Sequence, residues 1–486
     1  MEQLALRIIE KILILYFILY LLIDIILFFY AIIVFRKKKQ QHSGTPIDYR
    51  EHSVSILVPA YNESVSIVDC TKMLLNLNYP DYEVIVINDG SSDTTLEKLI
   101  QHFSLEIADR TRQSDLSSRA MRAIYRSPDQ RLTVIDKENG GKADSINAGI
   151  NYSEKTYVCT IDADSILDAE ALKEIVTPFI LDKHTTVSGG QLAAANGIVL
   201  SNNKVVSSSM PKNIWVVWQI VEYIKSFLVS RIGLSKINAL LVMSGAFSLF
   251  RKSDLLAVGG FLTKNNDHPY ILQHVGRNKQ TVCEDMEVVV RLFKYKRDLK
   301  QKTKVVFLPR PVCWTEVPDN AKNLYRQRSR WHQGLTETLR IHRSMIFEPR
   351  YKATGLVGLP YYLFFELMAP VMKVFAILFV IIASIISVVN YYWLLLFLLG
   401  AILLTTIITT TLTALIENWS IQQTAANRDA LRYKNFGNWV WLIAASIIGE
   451  LYYSFFKLFA QIHGIFNALR KQSNWMKFER KGVENV

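Results

Sequence analysis

Tyr157-Val158-Cys159-Thr160-Ile161-Asp162-Ala163-Asp164 is the stretch whose reading decides the fold. Five apolar or β-branched residues end abruptly in two carboxylates separated by one alanine, as a buried strand does where it opens into a polar loop. Similar strands precede it. Residues 54–58 end at Pro59, residues 83–87 end in Asn88-Asp89-Gly90, and residues 133–135 form a third short run. Helical patterns occupy 64–76, 94–103, 143–152 and 168–180 between them. Alternation of strand and helix predicts a parallel α/β sheet with helices on both faces. Ligands bind such sheets beyond the carboxyl ends of the strands, where this sequence places its acidic residues.

Outside this block the chain turns apolar. Of its 486 residues half are hydrophobic and 20% are charged, which excludes a disordered or collagen-like protein. Residues 12–35 form a run of 24 with Asp24 as the one charge, enough to cross about 30 Å of hydrocarbon. Arg36-Lys37-Lys38-Lys39 follow with no small-residue cleavage site between, so a retained anchor is expected rather than a signal peptide. The positive-inside rule then puts the α/β block in the cytoplasm. Residues 374–389, 391–416 and 438–462 are further expected spans, with an aromatic interfacial turn at Asn390-Tyr391-Tyr392-Trp393. Residues 355–369, with Pro360 and Glu366, suit either an interfacial or broken helix or a fifth crossing, and a fifth would bring the basic tail inside. Asp24 and Glu450 are functional candidates if they lie within the membrane, or else polar residues near its surface. The expected organisation is an anchor over 1–40, a cytosolic domain over 53–340, interfacial and membrane helices over 341–470 and a basic tail over 471–486. Residues 106–131, with Arg110, Arg112, Arg119, Arg122 and Arg126, interrupt the pattern and read as a solvated edge insertion.

Lys plus Arg number 56 against 43 for Asp plus Glu, a net charge of +13. That excess suits nucleic acid, a membrane surface or an anionic substrate. The basic residues cluster beside apolar segments without a base-stacking strand pattern, which argues against nucleic acid. Cys70, Cys159, Cys283 and Cys313 form no CxxC pair, so neither a disulfide framework nor a structural zinc site is expected.

Four places carry chemistry. Asp162 and Asp164 can jointly hold a hard divalent cation and a diphosphate, or form a solvated turn. Asp89 in Asn-Asp-Gly reads equally as a turn residue. Asn139-Gly140-Gly141-Lys142 allows close backbone approach and supplies a cation near an anion, without the spacing of a P-loop. Glu284-Asp285 precedes an amphipathic helix over 286–292; a carboxylate there can act as a general base, and Asp285 can cap the helix. Gln327, Arg328, Arg330, Trp331 and His332 lie together in a basic stretch, eight Lys/Arg against three Asp/Glu from Asp319 to Lys352. That stretch suits a helix at a membrane surface, or an arginine and tryptophan that grip a diphosphate and stack on a sugar.

Taken in order, Val58-Pro59-Ala60-Tyr61-Asn62-Glu63, Asn88-Asp89-Gly90-Ser91-Ser92-Asp93, Gly140-Gly141-Lys142, Asp162-Ala163-Asp164, Glu284-Asp285 and Gln327-Arg328-Ser329-Arg330-Trp331 resemble the processive family 2 glycosyltransferases. That group includes cellulose, hyaluronan, chitin and poly-N-acetylglucosamine synthases. The resemblance covers about 53–335, and Gln-x-x-Arg-Trp is its most specific element. It implies a Rossmann-like GT-A catalytic domain on the cytosolic face of an α-helical transmembrane region. It also implies inverting transfer from a UDP-sugar with Mg²⁺ or Mn²⁺.

By the same resemblance Tyr61, Glu63 and Asp89 line the uridine pocket, Lys142 lies near the nucleotide, and Asp162 and Asp164 hold the metal-bound diphosphate. Asp285, beside Glu284, is the base; the segment Ser244-Gly245-Ala246-Phe247 borders the acceptor sugar; Gln327, Arg328, Arg330 and Trp331 belong to the element gripping diphosphate and glycan. The sequence departs from cellulose synthases in lacking a Phe-x-Val-Thr-x-Lys motif. Its tail Trp475-Met476-Lys477-Phe478-Glu479-Arg480-Lys481 resembles the tryptophan-plus-basic loop of hyaluronan synthases. The expected partners are a UDP-sugar (UDP-N-acetylglucosamine or UDP-glucose), a growing polysaccharide or lipid acceptor, membrane lipids and accessory export subunits. Single-sugar transfer to a lipid carrier is the competing enzymatic reading; a transporter or scaffold with a degenerate domain is the non-enzymatic one.

Overall fold

The computed structural model describes residues 2–38, 47–201, 204–386, 390–424 and 435–470. The tail motif at 475–481 lies outside them. The apolar N-terminal run forms α1 (Glu2–Lys38). The α/β block then follows as β1 (Val54–Ala60), α2 (Ile67–Leu75), β2 (Tyr82–Asn88), α3 (Thr95–Phe103), β3 (Glu106–Ile107), β4 (Met121–Arg126), β5 (Leu132–Lys137) and α4 (Lys142–Tyr152). It continues through β6 (Tyr157–Ile161), β7 (Ser165–Leu167), α5 (Ala171–Leu181), β8 (Thr185–Ala194) and the hairpin β9 (Ile198–Ser201)–β10 (Lys204–Ser208). Next come α6 (Ile214–Glu222), a π turn over Tyr223–Val229, and α7 (Ser230–Lys236). β11 (Phe247–Arg251), α8 (Lys252–Ala257), α9 (Pro269–His274), α10 (Glu284–Asp298), β12 (Lys304–Thr315) and α11 (Ala321–Ile341) complete it.

Ten strands form one sheet in the order β3-β4-β5-β2-β1-β6-β11-β8-β12-β7. β5, β2, β1 and β6 are parallel, so their carboxyl ends share one edge. β11 runs antiparallel to β6 and pairs Phe247 with Ile161, which brings the segment before it to that same edge. The strands are buried on both faces, as expected of parallel strands covered by helices. Val54, Ile56, Val58, Val84, Val86 and Val134 face one apolar layer with Ile67 and Leu74 of α2, Leu99 of α3 and Leu172 of α5. Leu57, Ile85, Ile87 and Ile135 face the other, with Ile146 of α4, Ile220 of α6, Ile232 of α7 and Val289 of α10.

The 106–131 insertion lies at the sheet edge and is largely exposed, as expected, but it is not all loop. It supplies the edge strands β3 and β4, and β4 pairs antiparallel with β5. Its Arg110 side chain is buried against Glu83 at 2.5 Å and donates to Thr133. Burying a guanidinium requires such partners, and only an ordered segment can supply them.

Beyond α11, a largely π-wound stretch from Thr354 to Leu367 contains the short turn α12 (Leu359–Tyr361) and leads into α13 (Ala369–Ile385). α14 (Tyr391–Thr424), α15 (Phe436–Ile448) and α16 (Ser454–Arg470) follow, the last two joined by a π turn over Gly449–Tyr453. Leu6–Val34, Tyr391–Leu415 and Phe436–Arg470 are long and apolar enough to span a membrane. Thr354–Leu367 and Ala369–Ile385 meet at 41° and count as a fourth span if the bent pair is one. The two segments pass the length and apolarity test only together, so residues 355–372 do not qualify as a separate span. Glu450 is paired: Lys225 reaches it at 3.2 Å and also donates to Thr405 of α14.

Candidate active site

The site is built at the shared carboxyl edge. The loop after β1 is tied to the loop after β2. Asn62, in the left-handed region at φ 55°, accepts from the Ser92 amide at 2.8 Å, and Thr95 Oγ1 accepts from the Glu63 amide at 2.8 Å. Glu63 also accepts from Ser66, just before α2. Tyr61 is half-buried beside this junction.

Asp89 is turned inward. One carboxylate oxygen accepts from Lys137 at 2.6 Å and from the Gly140 amide at 2.9 Å, and the other accepts from the Gly141 amide at 2.8 Å. Lys137 is also paired with Asp144 at 2.7 Å, and Asp144 accepts from the backbone amide of Arg119 in the insertion. Its carboxylate thus ties the loop after β2 to Lys137 and to the turn that precedes Lys142.

Lys142 opens α4 and is the hub. Its ammonium donates to Asp162 at 2.6 Å and to the Gly245 carbonyl at 3.4 Å, and lies 3.5 Å from Glu284. Gly245 in turn donates its amide to Asp285 Oδ2 at 2.8 Å. Asp285 does not cap α10, as Cys283 holds that position; it lies in the first turn, where its negative charge meets the helix dipole. Burial alone would lower the Lys142 ammonium, but Asp162, Glu284 and Asp285 hold it well above the usual lysine range. Burial pushes the Glu284 carboxyl up; Lys142 draws it down and Asp285 adds to the rise.

Asp164, one residue past Ala163, is buried and accepts from Thr315 at the end of β12. Among the described residues no group of three or more His, Cys, Asp or Glu forms a metal cage. Two carboxylates at one strand end are nevertheless the donor set that Mg²⁺ or Mn²⁺ completes with substrate phosphate oxygens, so the residues fit such an ion.

α11 closes the site. Gly334 has no side chain to collide with Cys283, and Glu337 accepts from the Val282 amide at 3.0 Å, which seats α11 against the start of α10. Arg330 thereby comes near enough to Glu284 to lower that carboxyl electrostatically, and its buried Nε has no hydrogen-bond partner. Gln327, Arg330 and Trp331, at i, i+3 and i+4, share a helix face.

Arg328, in the same motif, is held by the protein itself. It pairs with Glu222 of α6 at 2.5 Å with 3% of its side chain exposed, and its guanidinium covers the Trp331 ring at 4.1 Å. Glu222 was not legible as a site-supporting residue. Its one signal is a carboxylate inside the largely apolar stretch 214–229, where Lys225 is the only other charge.

The glycosyl transferase family 2 model matches residues 55–256, and the glycosyl transferase family group 2 model matches 157–409, more than half of the chain. A poly-beta-1,6-N-acetyl-D-glucosamine synthase of Staphylococcus epidermidis is 30% identical over 287 residues, 59% of this chain and 55% of that protein. The synthase of Staphylococcus aureus strain COL is 29% identical over 288 residues, with the same shares. The chain thus spans about half the length of the curated relatives it matches. Among solved structures, a mannosyltransferase of Pyrobaculum calidifontis in complex with GDP-Man and Mn²⁺ aligns with a TM-score of 0.50 at 17% identity, covering 89% of this chain and 99% of that one. That likeness bears on the fold, a mixed α/β sheet of GT-A type.

Proposed function

This chain belongs to the family 2 glycosyltransferases, and from that premise we propose that it is a membrane-embedded inverting hexosyltransferase that elongates a β-linked polysaccharide from a UDP-sugar and passes it across the membrane. UDP-N-acetylglucosamine is the first donor to test, because the relatives are poly-N-acetylglucosamine synthases. The observation that carries this reading is the convergence of Lys142, Asp162, Gly245, Glu284 and Asp285 at one sheet edge beneath the helix of Gln327, Arg330 and Trp331.

Asp285 takes the proton of the acceptor hydroxyl as that oxygen bonds to the anomeric carbon. The bond from that carbon to the diphosphate breaks, and UDP leaves with the electron pair. Gly245 fixes the carboxylate through its amide, so the base is oriented before the acceptor arrives. Lys142 and Arg330 offset the negative charge that develops on the leaving group, the larger demand in an oxocarbenium-like transition state. Asp162 and Asp164 would hold Mg²⁺ or Mn²⁺, which supplies further charge stabilisation to the diphosphate when bound. Tyr61 and Glu63 line the nucleotide side, and Gln327 and Trp331 the acceptor side. The basic run after α1 supports a cytoplasmic catalytic face.

The test is UDP release by purified, detergent-solubilised protein against a panel of UDP-sugars with and without Mg²⁺ or Mn²⁺, with products sized. Asp285→Asn is expected to lower kcat by about 10²–10⁴. Long products from one donor are expected; a single-sugar adduct would replace this reading with lipid-carrier transfer.

A further inference from the structure

We infer that Glu222 is a positioning residue that holds the acceptor-gripping helix α11 in register with the last membrane helix, an inference that rests on the processive reading above. Three elements meet on this one carboxylate. Arg328 of α11 donates its Nε at 3.1 Å, Tyr453 donates its hydroxyl at 2.8 Å, and Lys457 of α16 donates its ammonium at 3.1 Å. The side chain is 11% exposed, so these contacts replace nearly all of its water. Burial alone would push the Glu222 carboxyl up, but Arg328 and Lys457 bring it down to about 2, and it stays ionised throughout the working range.

The consequence for the site follows from what Arg328 touches next. Its guanidinium lies over the Trp331 ring and donates to the side-chain oxygen of Gln327. Two residues of the gripping face are thus fixed through the arginine that Glu222 holds. Phe227, five residues beyond Glu222 in the π turn, places its ring 5.6 Å from that of Trp331. Behind it the α11 and α16 backbones touch, since a Cβ at Gly464 would collide with the Ser329 carbonyl oxygen. A polymerase that holds its product between additions needs the gripping face and the base Asp285 to keep a fixed spacing, and misplacement by about 1 Å costs on the order of 10² in rate. A carboxylate shared by α6, α11 and the last membrane helix supplies that spacing.

The experiment compares full-length wild type with Glu222→Gln, which keeps the shape and removes the charge. Donor KM, kcat, product length and amide exchange along the chain are measured in detergent. Donor KM is expected to stay within about twofold while kcat falls about tenfold. Products are expected to shorten, and exchange over 325–335 to quicken about fivefold with the α/β strands unchanged. A role in stability alone would lower the active fraction and leave product length and the local exchange pattern as in wild type; that result overturns the proposal. Should Glu222→Gln give too little folded protein, Tyr453→Phe removes one bond to the same carboxylate and is expected to shift both readouts in the same direction, and no shift overturns the proposal. If wild type itself adds a single sugar, the processive reading fails, and the exchange arm still decides Glu222: faster exchange confined to α11 upholds it, unchanged exchange overturns it.

Discussion

Gly245 touches both Lys142 and Asp285. Its carbonyl faces Lys142 and its amide holds Asp285, and a Cβ there would lie 2.8 Å from the lysine ammonium and 3.2 Å from the carboxylate. Gly245→Ala must therefore displace one of the two charged groups. The expected outcome is a fall in kcat on the order of 10²-fold with the melting temperature within a few degrees of wild type, read by UDP release and thermal unfolding. Unchanged kcat would show that neither group needs its present place. At this scale the sequence marked Lys142, Asp162, Glu284 and Asp285, because charged residues at strand and helix ends are visible locally. It could not mark the contact between them, which joins residues 40 and 103 positions apart. Nor does a motif show the partners of Asp89 and Arg328, because Lys137 and Glu222 lie 48 and 106 positions away.

Helix α10 carries Asp285 in its first turn and is anchored in that same turn by Glu287. That carboxylate accepts from Arg291 at 2.7 Å and faces His342 of the α11 C-terminus at 3.1 Å, and all three side chains are buried to within 1%. Glu287→Gln leaves the Arg291 guanidinium buried without a counter-charge, and a loss of about 3–5 kcal/mol is expected in chemical denaturation. The pH dependence has a definite sign. Burial alone would raise the Glu287 carboxyl, but Arg291 and His342 bring it down to about 2 from a usual 4.5. The unfolded chain therefore binds the proton more readily, so this stability is present above pH 4.5 and is lost as pH falls from there toward 2. His332 acts over a higher window in the same direction. Burial lowers it from 6.5 to about 4, so acid below pH 6.5 already favours the unfolded chain. Melting temperature followed from pH 7 to pH 4 should fall monotonically, and His332→Gln should flatten the part above pH 4.5. Sequence showed only residues 286–292 of this helix because its last turns are charged. They are helical because Lys294 meets Asp298 at 2.9 Å and Lys296 meets Asp254 at 2.6 Å, the second a pairing across the chain that local periodicity does not contain.

At the scale of the whole molecule, hydropathy separates a polar α/β block from apolar helices, and the packing joins them. One apolar cluster runs from Leu57 and Ile85 on the sheet through Ile220, Tyr223, Leu228 and Ile232 of the α6–α7 segment to Leu27 and Ala31 of α1 and to Ile408 and Leu412 of α14. A second joins Val217 and Trp218 to Ala445 and Tyr453, with the Trp218 indole donating to the Ala445 carbonyl at 3.0 Å and its ring stacked on Tyr453 at 5.4 Å. The α6–α7 segment was not legible as a helix in its own right. Its apolar residues cover both faces, one toward the sheet and one toward the membrane helices, so no amphipathic stripe identifies it. A chain cut to residues 47–341 keeps every strand and every site residue but uncovers the membrane-side face of that segment. Burying one large apolar side chain contributes about 1.5–3 kcal/mol, so uncovering several removes an amount comparable to the stability of an ordinary domain. The fragment is expected to aggregate in detergent-free buffer and to release less UDP than full-length protein in detergent, as followed by size-exclusion chromatography and UDP assay. A monomeric fragment with full-length donor turnover would show instead that the sheet stands alone. The membrane helices would then serve the polymer only after it is made.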